Sequence, residues 1–274
     1  MNILVCLKQI LDPEIPPRDF RVDTQRMEAQ RGSAGLVMNI FCANALETAL
    51  QFRDRSGGKL TALSFGNDTT EEILRKALAL RVDSAVLVLQ DPSADNAQSR
   101  RAEPIFVARV LAAAARKLGP FDLILTGREA GDWGEGHTGA LLAEELGLPC
   151  VSFAENFEQS PSSPKALLAR RQIENGLEVL EATCPFVATV TNHEHNVPRI
   201  AKTRDVMMAF RQPLTRLTVA ELGLTPESQA DVAAEIVGLT IPVEESRCEF
   251  AVGETLDQRV SAFAHNIMAV LRSA

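Results

Sequence analysis

Residues 127 to 139 read Gly-Arg-Glu-Ala-Gly-Asp-Trp-Gly-Glu-Gly-His-Thr-Gly, a spacing suited to holding a phosphate. Glycines let successive backbone N–H groups turn towards one point, and a helix opening at the end of the run adds partial positive charge. An anion can then be held without Lys or Arg. Thr138 adds a hydroxyl donor. Gly134, Gly136 and Gly139 also match the dinucleotide pattern GxGxxG, with Glu155 and Glu158 near the expected distance downstream. That pattern wants its first glycine directly after a strand, and here Gly127 to Asp132 intervene. The first βα turn, Lys8-Gln9-Ile10-Leu11, has no glycine at all. A phosphate-binding loop is favoured, and an NAD-dependent dehydrogenase built on Gly134, Gly136 and Gly139 is the alternative.

Other chemically able residues carry less. His193 and His195 flank Glu194, but two imidazoles two residues apart with no third ligand in view read as surface or interface residues, and no metal is assigned. The five cysteines, Cys6, Cys42, Cys150, Cys184 and Cys248, form no CxxC pair and no zinc-like spacing. Cys6 and Cys42 sit in apolar contexts and read as buried structural thiols. Trp133 is placed to stack on a base or to shield the loop, and Arg128 with Glu129 to form a surface pair.

The scaffold for that loop is an alternation of short apolar strands and amphipathic helices. Strands are expected at 3–7, 60–65, 84–89, 121–127 and 149–153, and helices near 43–54, 70–80, 104–118 and 138–146. Strands without polar alternation, spaced by helices, indicate an α/β fold: an open, mostly parallel sheet with helices on both faces. Thr69 and Glu72 are spaced as a capping box, and Gly57-Gly58 and Gly119-Pro120 end the helices before them. After Phe153 come a loop at 160–164, a hairpin around Glu174-Asn175-Gly176 and a strand at 186–191. Residues 192 to about 242 are irregular, polar and proline-punctuated, which suits an arm lying on a partner. A last amphipathic helix is expected near 255–272. The expected division is therefore 1–192 as the nucleotide-binding domain and 193–274 as partner loop, arm and helix.

Composition narrows the partners. At 274 residues and 46% hydrophobic content the chain can bury a full core. Lys plus Arg total 28 against 36 Asp plus Glu, a formal charge of -8, which disfavours nucleic acid or an anionic membrane as the main partner. No run is long and apolar enough for a bilayer, so membrane insertion is not expected. The opening MNILVCLKQI reads as a strand and not as a leader, and a reducing, cytoplasmic home is the expectation.

Four stretches, ILVCLKQILD (3–12), MNIFCANALETAL (38–50), LTALSFGNDTTEEILRKALALRVDSAVLV (60–88) and DLILTGREAGDWGEGHTGALLAEELGLPCVSF (122–153), carry a family resemblance. With RRQIENGLEVLEATCPFVATVT (170–191) and NVPR (196–199) in the same order, the chain resembles electron-transfer flavoprotein β subunits from residue 1 to about 215. The resemblance implies an adenine-nucleotide-hydrolase-like sheet holding a structural AMP that is bound and not hydrolysed. It also implies an α-subunit partner that carries most of the FAD. The AMP phosphate falls to the backbone at Glu135, Gly136 and His137 with the Thr138 hydroxyl and nearby Asp132, while Cys6, Asn39, Phe65 and Gly127 surround the adenosine. Phe41 matches an aromatic near the FAD. No catalytic residue is implied, because the redox chemistry belongs to the flavin.

The same resemblance places partner contacts at His195, Val197, Pro198, Arg199, Met207 and Arg211. Electrons would pass from a flavin-dependent dehydrogenase to a quinone-linked oxidoreductase. Flavin-bifurcating relatives put a second FAD at the AMP site and usually have Val where this chain has Thr138. The chain also departs from the family. It has no Tyr and places Pro13 where a flavin-near Tyr is common; His195 replaces an anchoring Leu, and Met208-Ala209-Phe210-Arg211 replaces a basic run. A solitary adenine-nucleotide sensor is a third reading.

Overall fold

The computed structural model describes residues 1–25, 27–90, 103–224, 236–241, 248 and 250–273. Its described contacts group Met1–Leu239 into one compact unit and Thr240–Ala274 into a second. The first unit extends past the boundary expected at 192/193.

In chain order the elements are β1 (Asn2–Leu7), β2 (Gln9–Leu11), β3 (Arg21–Asp23), β4 (Glu28–Gln30), β5 (Leu36–Met38), α1 (Ile40–Ser56), β6 (Lys59–Gly66), α2 (Glu71–Ala79) and β7 (Ser84–Leu89). They continue with α3 (Pro104–Leu118), β8 (Leu123–Gly127), α4 (Thr138–Leu146), β9 (Cys150–Gln159), β10 (Ala166–Ile173), β11 (Gly176–Thr183), β12 (Phe186–Val190), α5 (Thr203–Ala209), β13 (Thr215–Thr218) and α6 (Leu256–Ser273). Nine strands form one sheet in the order β11-β10-β9-β12-β8-β1-β6-β7-β13. From β9 to β13 neighbouring strands are parallel, and only the β9-β10-β11 end is antiparallel.

The continuous apolar run of β1 follows from burial on both faces. Ile3, Val5 and Leu7 pack with α1 and α2, whereas Leu4 and Cys6 pack with α3 and α4. The chain leaves β1 towards β6 and β7, then returns to the other side of β1 as β8. The strand order therefore reverses at β1, and an open α/β sheet leaves a crevice at the carboxyl ends of the strands beside such a reversal.

Two local expectations are corrected. Thr69 and Glu72 do not cap α2. A short 3-10 turn at Asp68–Thr70 comes first, with the Asn67 side chain accepting from the Thr69 N–H, and the Thr69 hydroxyl is committed to Gln9 and Asn67. The 192–242 stretch is also not wholly irregular. Thr215–Thr218 joins the sheet edge parallel to β7, and α5 packs on α2. The parts of that stretch at 225–235 and 242 lie outside the described residues. In the second unit, Leu256, Val260, Phe263 and Ile267 recur at helical spacing along α6 and are all exposed.

Candidate functional site

A cavity of about 530 Å³ opens where β1, β6 and β8 end. Its walls come from Cys6 to Leu11, from Phe65 and Gly66, from Thr126 to Ala130 with Asp132, and from Pro104, Val107 and Leu111 on α3. Phe65 is fixed edge-on against Phe106, ring centroids 5.9 Å apart, which makes that wall flat and apolar.

The opposite wall is the start of α4. His137 occupies its cap position but makes no side-chain hydrogen bond to the helix, and the first turn carries no acidic residue. The first amides of α4, which a helix leaves without intrahelical acceptors, thus have no capping bond from His137 and no carboxylate within the first turn. Ten residues separate the end of β8 from α4, so Gly134 lies far from the strand, unlike the first glycine of a dinucleotide turn. Gly136 takes a positive φ of 67°, and this backbone reversal turns the loop into the helix.

The loop is braced from α1. Asn39, 1% exposed, donates to the Glu129 carbonyl at 2.7 Å and accepts from the Gly131 N–H at 3.1 Å. Lys8 Nζ donates to both oxygens of Asp132 at 2.8 Å, and Asp132 also accepts from the Trp133 N–H at 2.9 Å. At Gly127 a Cβ would stand 2.8 Å from the Phe41 carbonyl carbon and 2.9 Å from the Cys42 nitrogen, so only glycine lets β8 end this close to α1. The Cys6 and Cys42 thiols are pushed up by burial; hydrogen bonding from Asn39 offsets part of this at Cys42.

Of the residues singled out from sequence, Cys6, Asn39, Phe65, Gly127, Asp132, Glu135, Gly136 and Thr138 line this one cavity. His137 and Phe41 do not. His137 is exposed at the cap of α4, and the Phe41 ring lies 4.4 Å beneath the Arg128 guanidinium. Arg128 also pairs with Glu129 at 2.8 Å and donates to the Thr191 hydroxyl, so the expected surface pair is part of a small cation–aromatic cluster. Sequence reasoning missed Lys8, Thr126 and the α3 wall. Lys8 looked like an interruption of an apolar run, and no local pattern marks its partner 124 residues away.

The candidate partner residues lie on the segment after β12, around the turn that packs on α1 and along α5, which packs on α2. His195, Val197, Met207 and Arg211 are exposed, and Pro198 is half-buried. Around them Ile200 is 94% and Phe210 68% exposed, apolar groups that spacing alone did not single out. Arg199, expected as a partner contact, is committed within the chain. Its Nε reaches Glu47 at 2.8 Å and its Nη1 reaches Asp54 at 2.8 Å, and hydrogen bonding to Glu47 above all keeps the guanidinium pKa above its ordinary value. Asn196, fully buried, donates to the Thr191 carbonyl and the Thr48 hydroxyl, while Asn44 donates to its carbonyl.

His193, Glu194 and His195 bring ligand-capable atoms within 4.8 Å of one another, a grouping the sequence reading set aside. His193 also faces inward, with Nε2 3.5 Å from the buried Glu155 carboxylate, which lies 2.6 Å from Arg170.

Fold and cavity define an open-sheet α/β protein with a cavity at its switch point. Comparison with known sequences is more specific. The model of the electron transfer flavoprotein domain matches residues 29–222. The caffeyl-CoA reductase-Etf complex subunit CarD of Acetobacterium woodii is 31% identical over 229 residues, covering 83% of this chain and 82% of that protein. The electron transfer flavoprotein subunit beta of Thermoanaerobacterium thermosaccharolyticum is 30% identical, covering 81% and 79%. That of Bacillus subtilis is 28% identical, covering 100% and 98%. The chain belongs to the electron transfer flavoprotein family, among its β subunits. Among the described residues no helix is long and apolar enough to cross a membrane.

Proposed function

We propose that this chain is the AMP-holding half of an electron-transfer flavoprotein heterodimer, with an α subunit carrying most of the FAD. The complex takes electrons from a flavin-dependent dehydrogenase and delivers them to a quinone-linked oxidoreductase. The observation that carries the nucleotide assignment is the cavity closing on the uncapped start of α4. An adenylate suits it, since flat apolar walls at Phe65, Val107 and Leu111 accept a base, and α4 accepts a dianion without a cation. The amides from Glu135 to Thr138 and the Thr138 hydroxyl would hold the phosphate, while Asn39 and Lys8 hold the loop. FAD, when bound, supplies the electron-transfer chemistry, and this chain orients and docks. A relative named as a subunit of a reductase-Etf complex supports a role within an assembly.

The test is to co-purify the chain with its α subunit, denature the complex and quantify the released nucleotides. One AMP and one FAD per heterodimer are expected, with the isolated chain colourless. Two FAD would move the reading to the second-flavin variant, and NAD would move it to the dehydrogenase.

A further inference from the structure

One polar group in the cavity wall has no partner. Thr126, the penultimate residue of β8, is 5% exposed, and its hydroxyl is shielded from solvent with no hydrogen bond. The other buried atoms in this condition are less isolated: Asn44 still donates to Asn196, and Glu155 still has Arg170 at 2.6 Å. A hydroxyl buried without a partner is destabilising, and native proteins retain few such groups without a reason.

Two contacts locate it. Thr126 lines the same cavity as Gly136 and Thr138. α4 also comes down directly on it, since a Cβ at Gly139 would lie 2.6 Å from Thr126 Oγ1 and 2.3 Å from Thr189 Cγ2. Glycine at the second position of α4 thus seats the uncapped first turn against the ends of β8 and β12. A rotation of the Thr126 side chain between staggered wells would turn its hydroxyl to the cavity with no backbone movement.

We infer that Thr126 is a further binding residue for the nucleotide, its hydroxyl donating to a phosphate oxygen from the cavity floor beside the α4 amides and Thr138. This rests on the AMP reading and deepens it. A phosphate monoester is the class that fits, because its terminal oxygens accept several converging donors and need no donor of their own. The wall supplies donors from backbone and hydroxyl groups in this region; of the cations that line it, Lys8 is held by Asp132, Arg128 by Glu129, and Arg31 donates to the Ala34 carbonyl.

The experiment compares wild type, Thr126→Val and Thr126→Ser, each purified with the α subunit and stripped of nucleotide, by calorimetric titration with AMP and separately with adenosine. Valine keeps the shape and removes the hydroxyl; serine keeps the hydroxyl. Thr126→Val should bind AMP at least about tenfold more weakly, and Thr126→Ser within about threefold of wild type. Adenosine should bind all three alike. Without nucleotide, Thr126→Val should melt no lower than wild type, because it removes a buried unsatisfied group. AMP binding unchanged in Thr126→Val overturns the inference and leaves the AMP reading standing. Equal loss of AMP and adenosine also overturns it, since the hydroxyl would then serve pocket shape. Wild type that binds neither probe sinks the AMP reading itself.

Discussion

Replacing Arg199 by alanine tests how the loop after β12 is held, and the structure sets the magnitude. Arg199 reaches Glu47 through Nε at 2.8 Å, Nη2 at 3.0 Å and its backbone N–H at 3.2 Å, and reaches Asp54 through Nη1 at 2.8 Å. The Glu47 side chain is 5% exposed, so alanine leaves a desolvated carboxylate, with Gln51 donating to it at 2.9 Å. Breaking a fully buried pair costs about 3–5 kcal/mol. Arg199 is itself 36% exposed, so water reaches the vacated space and the cost falls to about 2 kcal/mol. For a domain of this size that is a fall in melting temperature of about 4–8 °C.

The sign of the pH dependence follows from Asp54. Burial alone would raise its carboxyl, but hydrogen bonds from Arg199 and Arg53 outweigh burial and hold it below its ordinary 3.8. A depressed carboxyl contributes stability that is complete above the ordinary value and disappears as pH falls through the folded one. The deficit of Arg199→Ala should therefore be full at neutral pH and narrow below about pH 4. Scanning calorimetry of wild type, Arg199→Ala, Glu47→Gln and the double variant closes the cycle. A shift below about 1 °C, or an undiminished shift in the Glu47→Gln background, would show that the pair does not hold the loop.

Three further outcomes are expected. Gly127→Ala should cost about 1–3 kcal/mol in a urea titration and lower bound nucleotide, because its Cβ meets the backbone of Phe41 and Cys42 at 2.8–2.9 Å; full retention of both would contradict the close approach. With a thiol-reactive disulfide at pH 8, exposed Cys248 should react first and Cys6 and Cys42 only on unfolding, since burial raises both thiols; early labelling of Cys42, read by mass spectrometry, would refute this. At the docking face, His195→Leu should slow electron transfer from the native dehydrogenase and speed it from an acyl-CoA dehydrogenase, and Phe210→Ala should weaken native docking about fivefold or more; if no rate moves beyond about twofold, ~0.4 kcal/mol, this face is not the selector.

Much of the sheet was legible because a strand buried on both faces needs an unbroken apolar run, as in SAVLVL, and a covering helix needs its own period and stops. The predicted bounds of α3 and α4 coincide with the observed ones for that reason. β13 was not legible. Thr-Arg-Leu-Thr is a four-residue edge strand with exposed Arg216, so it lacks the apolar run and shows its pairing with β7 only in three dimensions. The loop between β8 and α4 was legible through its glycines, whose spacing is a backbone requirement. Thr126 was not, because a threonine at a strand end looks like any other until its hydroxyl is found without a partner.

The Glu47–Arg199 contact was hidden differently, since its partners are 152 residues apart, and this long-range pairing ties the two candidate faces together. α1 begins at the nucleotide loop, where Asn39 braces residues 129–131 and where Gly127 packs against Phe41 and Cys42. Farther along the same helix, Asn44, Thr48 and Gln51 bond Asn196 and the His195 carbonyl, and Glu47 and Asp54 hold Arg199. A 17-residue helix spans about 25 Å, so one rigid element positions both the glycine-rich loop proposed for the phosphate and the loop proposed for the partner. Asn44, Glu47, Thr48, Gln51 and Asp54 belong to no glycine-rich or apolar pattern. Their side chains are chosen by what lies across the fold, which is why these contacts became visible only when the chain was seen folded.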